Sequence, residues 1–160
     1  MPLLNIKRRE KYKYMSWYGP FVGAGIKVTN ISEDLTFFRA EMNLNWYNKN
    51  IVGTHFGGSL YAMCDPFFML ILLENLGKDF IVWDKSALIR FRKPGRMKVY
   101  ADFSISRERI EEIKSEVQDA GKMEYTFTAE VKDMNGLLIA EVEKLVYVKR
   151  KDYSPDQKQG

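Results

Sequence analysis

Cysteine and histidine are almost missing from this 160-residue chain, which has one of each, Cys64 and His55. A single cysteine excludes an internal disulfide framework and suits a reducing compartment. A single histidine excludes a histidine-rich metal centre, and no metal is expected. A strong charge of one sign is missing too. Twenty-five Lys and Arg stand against 21 Asp and Glu, a net charge of +4, too weakly basic to argue for a nucleic-acid partner. Long apolar runs are absent except for residues 60–73. That run is shorter than a bilayer span and carries a carboxylate, so no membrane partner is expected. The opening MPLLNIKRREKYKY places its charges after its few apolar residues and does not read as a secretory signal. The expected location is cytoplasmic.

What is present is organised around that one run. From residue 60 to 73 every position is apolar, aromatic, Cys or Pro, except Asp65. Apolar residues occupy all sides, so a helix here is expected to be enclosed all round. Gly57 and Gly58 precede it and Gly77 follows it, where a left-handed cap is expected. An acid inside such a helix is costly unless it is paired, hydrated or used. Asp65 is therefore the leading functional candidate. An Asp before Pro66 also reads as the marker of a kink, with the carboxylate capping the segment beyond the break.

Around the helix the pattern alternates with period two. Residues 35–47 read as a long strand, with Thr36, Phe38, Ala40, Met42, Leu44 and Trp46 on one face. Residues 80–93 read as a strand ending at Pro94-Gly95. Residues 98–106, 123–132 and 137–149 repeat the pattern, the last with Leu138, Ala140, Val142, Val146 and Val148 on one face. Asn135-Gly136 marks a hairpin turn. Ile110, Ile113 and Val117 seat a short helix over residues 107–118, which Gly121 closes. Residues 1–20 read as a basic, aromatic, helical extension broken at Gly19-Pro20, and 152–160 as a loose polar tail. No repeat or linker divides the chain, which is expected to be one domain with its core over about 24–149. The class is α+β: an antiparallel sheet of five or six strands wrapped around one long central helix.

That order is the architecture of the hotdog fold, and residues 50–65 carry a closer resemblance. The run Asn50-x-x-Gly53-Thr54-x-x-Gly57-Gly58, then Asp65 seven residues later, resembles the acyl-CoA thioesterases of the phenylacetate-pathway type. The run SALIRFRKPGRMKVYADFSI is similar to the strand–Pro-turn–strand of that family. The Asp-Pro pair and the N-terminal extension resemble an uncharacterised, thioesterase-like branch of the superfamily. One position departs: where the family has His directly before Gly-Gly, this chain has Phe56, and His55 stands one place earlier.

The chemistry implied is hydrolysis of an acyl-CoA or acyl-carrier thioester. The backbone N–H groups of Gly57 and Gly58 at a helix start suit a developing oxyanion. Asp65 suits a general base or nucleophile, and Asn50 can hold water or substrate by its amide. His55, Phe56, Tyr61 and Phe68 are assigned to the substrate, and Arg92, Lys93 and Arg96 to the phosphates of coenzyme A. Coenzyme A enters only as part of the substrate, and no separate cofactor is expected. In the resembling family the donors and the acid come from different subunits, which implies a homodimer or a dimer of dimers here. Two alternatives stay open: a non-catalytic acyl- or lipid-binding hotdog protein, and a hotdog dehydratase or hydratase with His55 as base.

Overall fold

A computed structural model describes residues 8–154. The earlier residues of the N-terminal extension and the last six of the tail lie outside the described residues. In chain order come helix α1 (Arg8–Lys13), a short 3-10 helix (Tyr14–Trp17), α2 (Gly19–Ala24), β1 (Ile26–Ile31), β2 (Phe37–Met42), α3 (Gly57–Cys64), α4 (Phe67–Leu76), β3 (Phe80–Phe91), β4 (Val99–Ser104), α5 (Arg107–Ala120), β5 (Lys122–Asp133) and β6 (Leu138–Arg150). The six strands form one antiparallel sheet in the order β1-β2-β4-β5-β6-β3. Its inner face holds Phe38, Ala40, Met42, Val99, Ala101 and Phe103 on one half and Ala129, Val131, Val142, Val146 and Val148 on the other, all buried. Helices α3 and α4 lie against that face. This is the hotdog fold.

The period-two reading holds over β2, β4, β5 and β6. At β2 it overreaches. The strand stops at Met42, and Trp46, expected inside, is 84% exposed. The side chain of Asn48 is the cause. Its amide donates to the carbonyls of Asn43 at 2.7 Å and Ala24 at 2.8 Å, and its oxygen accepts from the Asn45 N–H at 2.7 Å. A side chain that takes both backbone partners offers the chain an alternative to the sheet ladder.

The central helix is not continuous. Pro66 has no N–H to give, and the helix breaks at Asp65–Pro66 into α3 and α4. Pro66 begins α4 without any side-chain cap. Asp65 therefore does not cap the second segment; its bonds go elsewhere. Nor is the helix enclosed all round. Leu60, Met63, Cys64, Phe67, Phe68, Ile71, Leu72 and Leu76 are buried, but Leu73 is exposed, and Tyr61, Met69 and Leu70 are only partly covered. A single sheet wraps one side of a helix and leaves the other open. By length and composition residues Gly57–Leu76 could cross a membrane; in this fold they are the core helix of an α+β domain.

The hairpin turn and the apolar seats of α5 fold as read. Gly136 takes a positive φ in the turn between β5 and β6, and Asp133 accepts from the N–H groups of Asn135 and Leu137. Ser106 caps α5 by accepting from Arg109 N–H at 3.2 Å, and Ile110, Ile113 and Val117 are its buried side. Gly19-Pro20 ends the 3-10 helix but also starts α2, with Pro in the first turn where its missing N–H costs nothing. At the far end, Asp152 pairs with Arg150 at 2.9 Å and the Tyr153 ring packs over Gly121, so this part of the tail is held.

Candidate active site

The first half of the site is the start of α3. Phe56 is the residue before the helix, and no side chain caps it. The Phe56 carbonyl accepts from Ser59 and Leu60, which leaves the Gly57 and Gly58 N–H groups without intrahelical partners. Both glycines are closely approached by exposed side chains. A β-carbon at Gly57 would meet the Phe91 ring at 2.8 Å, and one at Gly58 would meet the Phe56 ring at 2.5 Å. Two exposed aromatic rings thus lie on either side of the helix start.

Gly57 opens into a hollow of about 470 Å³ shared with Asn50, His55, Phe91, Arg92 and Lys93. A second hollow, about 480 Å³, lies on the side of Phe56, Gly58 and Ser59. Asn50 borders both. Its amide is occupied by its own loop: Nδ2 donates to Thr54 Oγ1 at 2.9 Å, and Oδ1 accepts from the N–H groups of Val52 and Thr54. His55 is buried, with Nε2 at 2.8 Å from the Met97 carbonyl. Burial outweighs that bond and lowers its pKa, so the ring stays neutral. Arg92 leans on Glu141 at 3.4 Å, as does Arg90 at 3.5 Å. Arg96 is exposed beyond the Pro94–Gly95 turn and does not line the hollow.

The second half is the end of α3. Asp65 Oδ1 accepts from the Tyr61 hydroxyl at 2.7 Å and from Lys144 Nζ at 2.8 Å. Among the described residues no donor meets Oδ2, and the side chain is 51% exposed. Lys144, in contrast, is 1% exposed and also reaches Asp84 Oδ2 at 2.8 Å. Burial pushes the Asp65 pKa up, but the Lys144 ammonium and the Tyr61 hydroxyl outweigh it and hold the carboxyl below its ordinary value. At Asp84 burial wins over Lys144 and the pKa is raised. The two carboxylates together outweigh the burial of Lys144 and keep it firmly charged. Cys64 beside them is fully buried, and its thiol is pushed up to about 12.

Apart from Phe68 and Arg96, the residues named from sequence fall into three places. Asn50, His55, Gly57, Arg92 and Lys93 share the first hollow; Phe56 and Gly58 line the second; Tyr61 and Asp65 meet at the kink. Phe68 belongs to the core, stacked on Phe127 at 5.1 Å and edge-on to Phe103 at 5.5 Å. Lys144 and Asp84 are additions that the sequence reading passed over. Lys144 sits where the alternation of β6 points inward, between Val142 and Val146. Asp84 sits where Phe80 and Val82 lead, just before a bulge in β3. A charged residue at an inward strand position was the available signal in both cases.

A family model described as a domain of unknown function, DUF4442, matches residues 7–148. Among curated proteins none matches the chain. Several solved structures do. A Pseudomonas aeruginosa protein of unknown function, PA5026, described as a probable thioesterase, is 22% identical with a TM-score of 0.76, over 94% of this chain and 98% of that one. The Haemophilus influenzae thioesterase HI1161 is 14% identical with a TM-score of 0.66, over 92% and 94%. A mutant of the phenylacetic acid degradation protein PaaI from Thermus thermophilus is 21% identical with a TM-score of 0.54, over 78% and 93%. At these identities the likeness is one of fold.

Proposed function

We propose that this chain, which belongs to the DUF4442 family, is a thioester hydrolase acting on an acyl-CoA or acyl-carrier thioester. One observation carries the reading. Asp65, on the core helix, is an ionised, half-exposed carboxylate with one oxygen fixed by Tyr61 and Lys144 and the other without a donor among the described residues. A carboxylate so held is suited to take a proton from water.

In this reading the thioester carbonyl oxygen accepts from the Gly57 and Gly58 N–H groups, where the helix dipole favours developing negative charge. Water attacks the carbonyl carbon while Asp65 Oδ2 takes its proton. The C–S bond then breaks and the thiolate leaves. Within one helix the donors and Asp65 are about 10 Å apart along the axis, too far to serve one carbonyl. We place the donors of one copy opposite the acid of a second, in a homodimer, which also covers the open side of α3 and α4. Arg92 and Lys93 border the hollow at the donor end and suit the phosphates of coenzyme A. A dehydratase role for His55 is disfavoured by its burial and by the engagement of Nε2 with Met97.

The test is steady-state hydrolysis of a panel of acyl-CoAs, aromatic and aliphatic, by the wild type and by Asp65→Asn. Turnover that falls on substitution supports the reading. Tight binding of acyl-CoAs without turnover would replace it with the non-catalytic acyl-binding alternative.

A further inference from the structure

Two carboxylates share the one buried ammonium of Lys144, and they share it unequally. Asp65 Oδ1 receives two donors, Tyr61 and Lys144; Asp84 receives only Lys144, on Oδ2. Among the described residues, Asp84 Oδ1 is buried with no hydrogen-bond partner. Asp65 is 51% exposed and its neighbour 20%. A buried carboxylate oxygen without a donor is costly while the group is charged, and that cost vanishes when the oxygen carries a proton. The groups facing Asp65 are Tyr61 and Cys64 from its own helix, Lys144 from β6 and, across Lys144, Asp84 from β3.

We propose that Asp84 and Lys144 are positioning residues that sort protons: Asp84 takes the first proton offered to the pair, and Lys144 retains its ion pair with Asp65, leaving Asp65 Oδ2 free and ionised. With both acids ionised the cluster holds two negative charges against one positive. The first proton removes the excess, and it goes where ionisation is worst supported, at Asp84. What remains is a neutral Asp65–Lys144 pair, and a second proton must break it. Asp65 therefore stays a carboxylate below the pH at which an isolated carboxyl is lost. Lys144 also holds Oδ1, so that only Oδ2 faces outward. Environments that push two carboxyls apart in this way assign them different tasks. The inference rests on the reading of Asp65 as a base, but its test does not need a substrate.

The experiment is a carboxyl-carbon NMR titration of the full chain labelled with [13C]aspartate, from neutral pH down to acid unfolding. Asp65→Asn and Asp84→Asn assign the two signals. We expect the Asp84 midpoint to lie above the Asp65 midpoint. Asp65→Asn should lower the Asp84 midpoint by removing a like charge, and Lys144→Met should raise the Asp65 midpoint by about 1–3 units. An Asp65 midpoint above that of Asp84, or one unmoved by Lys144→Met, overturns the proposal. Should Lys144→Met not fold, the order of midpoints in the wild type and the Asp65→Asn shift decide alone. A correct order of midpoints in a protein that hydrolyses no acyl-CoA would sink the hydrolase reading and leave proton sorting intact. Hydrolysis that depends on Asp65 with the midpoints reversed would do the opposite.

Discussion

The core helix carries two acids, Asp65 and Glu74, and both are held by a tyrosine and a lysine. Glu74 Oε1 accepts from Tyr12 and from Lys11 Nζ at 2.5 Å; Asp65 Oδ1 accepts from Tyr61 and Lys144. The difference lies in the second oxygen. Glu74 Oε2 is taken by Arg8 at 2.6 Å, and the side chain is 11% exposed. Asp65 Oδ2 meets no donor among the described residues, and the side chain is half open. The donors also come from different places: those of Glu74 from the N-terminal segment, which they fasten to α4, and the cation of Asp65 from beneath the helix. An acid whose two oxygens are both satisfied is a clasp. An acid with one oxygen fixed and one free can do chemistry. The basic N-terminal residues Arg8 and Lys11 thus serve packing, which supports a structural use of that segment.

Substitutions sharpen the contrast. Lys144→Ala should have the largest effect on stability, because it leaves two carboxylates without their buried cation; a loss of about 3–5 kcal/mol in urea unfolding is expected. Glu74→Ala should cost about 1–3 kcal/mol, from hydrogen bonds to a charged group, and leave any turnover unchanged. Glu74 also sets a pH signature. Its three donors overcome burial and hold it down at about 2 against an ordinary 4.5. A folded-state pKa lowered in this way gives stability that is complete above the unfolded value and is lost as pH falls from 4.5 toward 2. The melting temperature of Glu74→Gln should therefore decline less steeply over that window than that of the wild type. Arg92→Ala with Lys93→Ala should barely change stability, within about 0.5 kcal/mol, while raising KM for acyl-CoAs and leaving kcat nearly intact. Added salt should weaken the wild type in the same direction. An unchanged KM would return both residues to a solvated strand end.

Much of this was legible in the sequence where one local rule acted alone. The alternation of β4 and β5, the Asn135-Gly136 turn and the three apolar seats of α5 each fix their element with no help from distant residues. The rule failed where a side chain competed with it. Asn48 draws the chain out of the sheet after Met42, and the break that Pro66 marks is made without the cap expected from Asp65. At the site, Asp65 stood out as the one charge in an apolar run, and Gly57-Gly58 as a place for close approach. Lys144 and Asp84 did not, since each interrupts a strand pattern that remains readable without it. Their meaning appears only when β6, β3 and α3 come together. The tasks of Asn50 and Phe68 were hidden for a related reason: whether an amide is free or a ring is buried depends on its neighbours in space.

The central claim is that Asp65 and Glu74, alike in composition of their donors, differ in use. The most direct test compares Asp65→Asn with Glu74→Gln for kcat on the best acyl-CoA of the panel, with melting temperature measured on both. We expect Asp65→Asn to lose about 100-fold or more in kcat with KM little moved, and Glu74→Gln to keep wild-type kcat while losing stability. Equal turnover in the two variants would contradict the account.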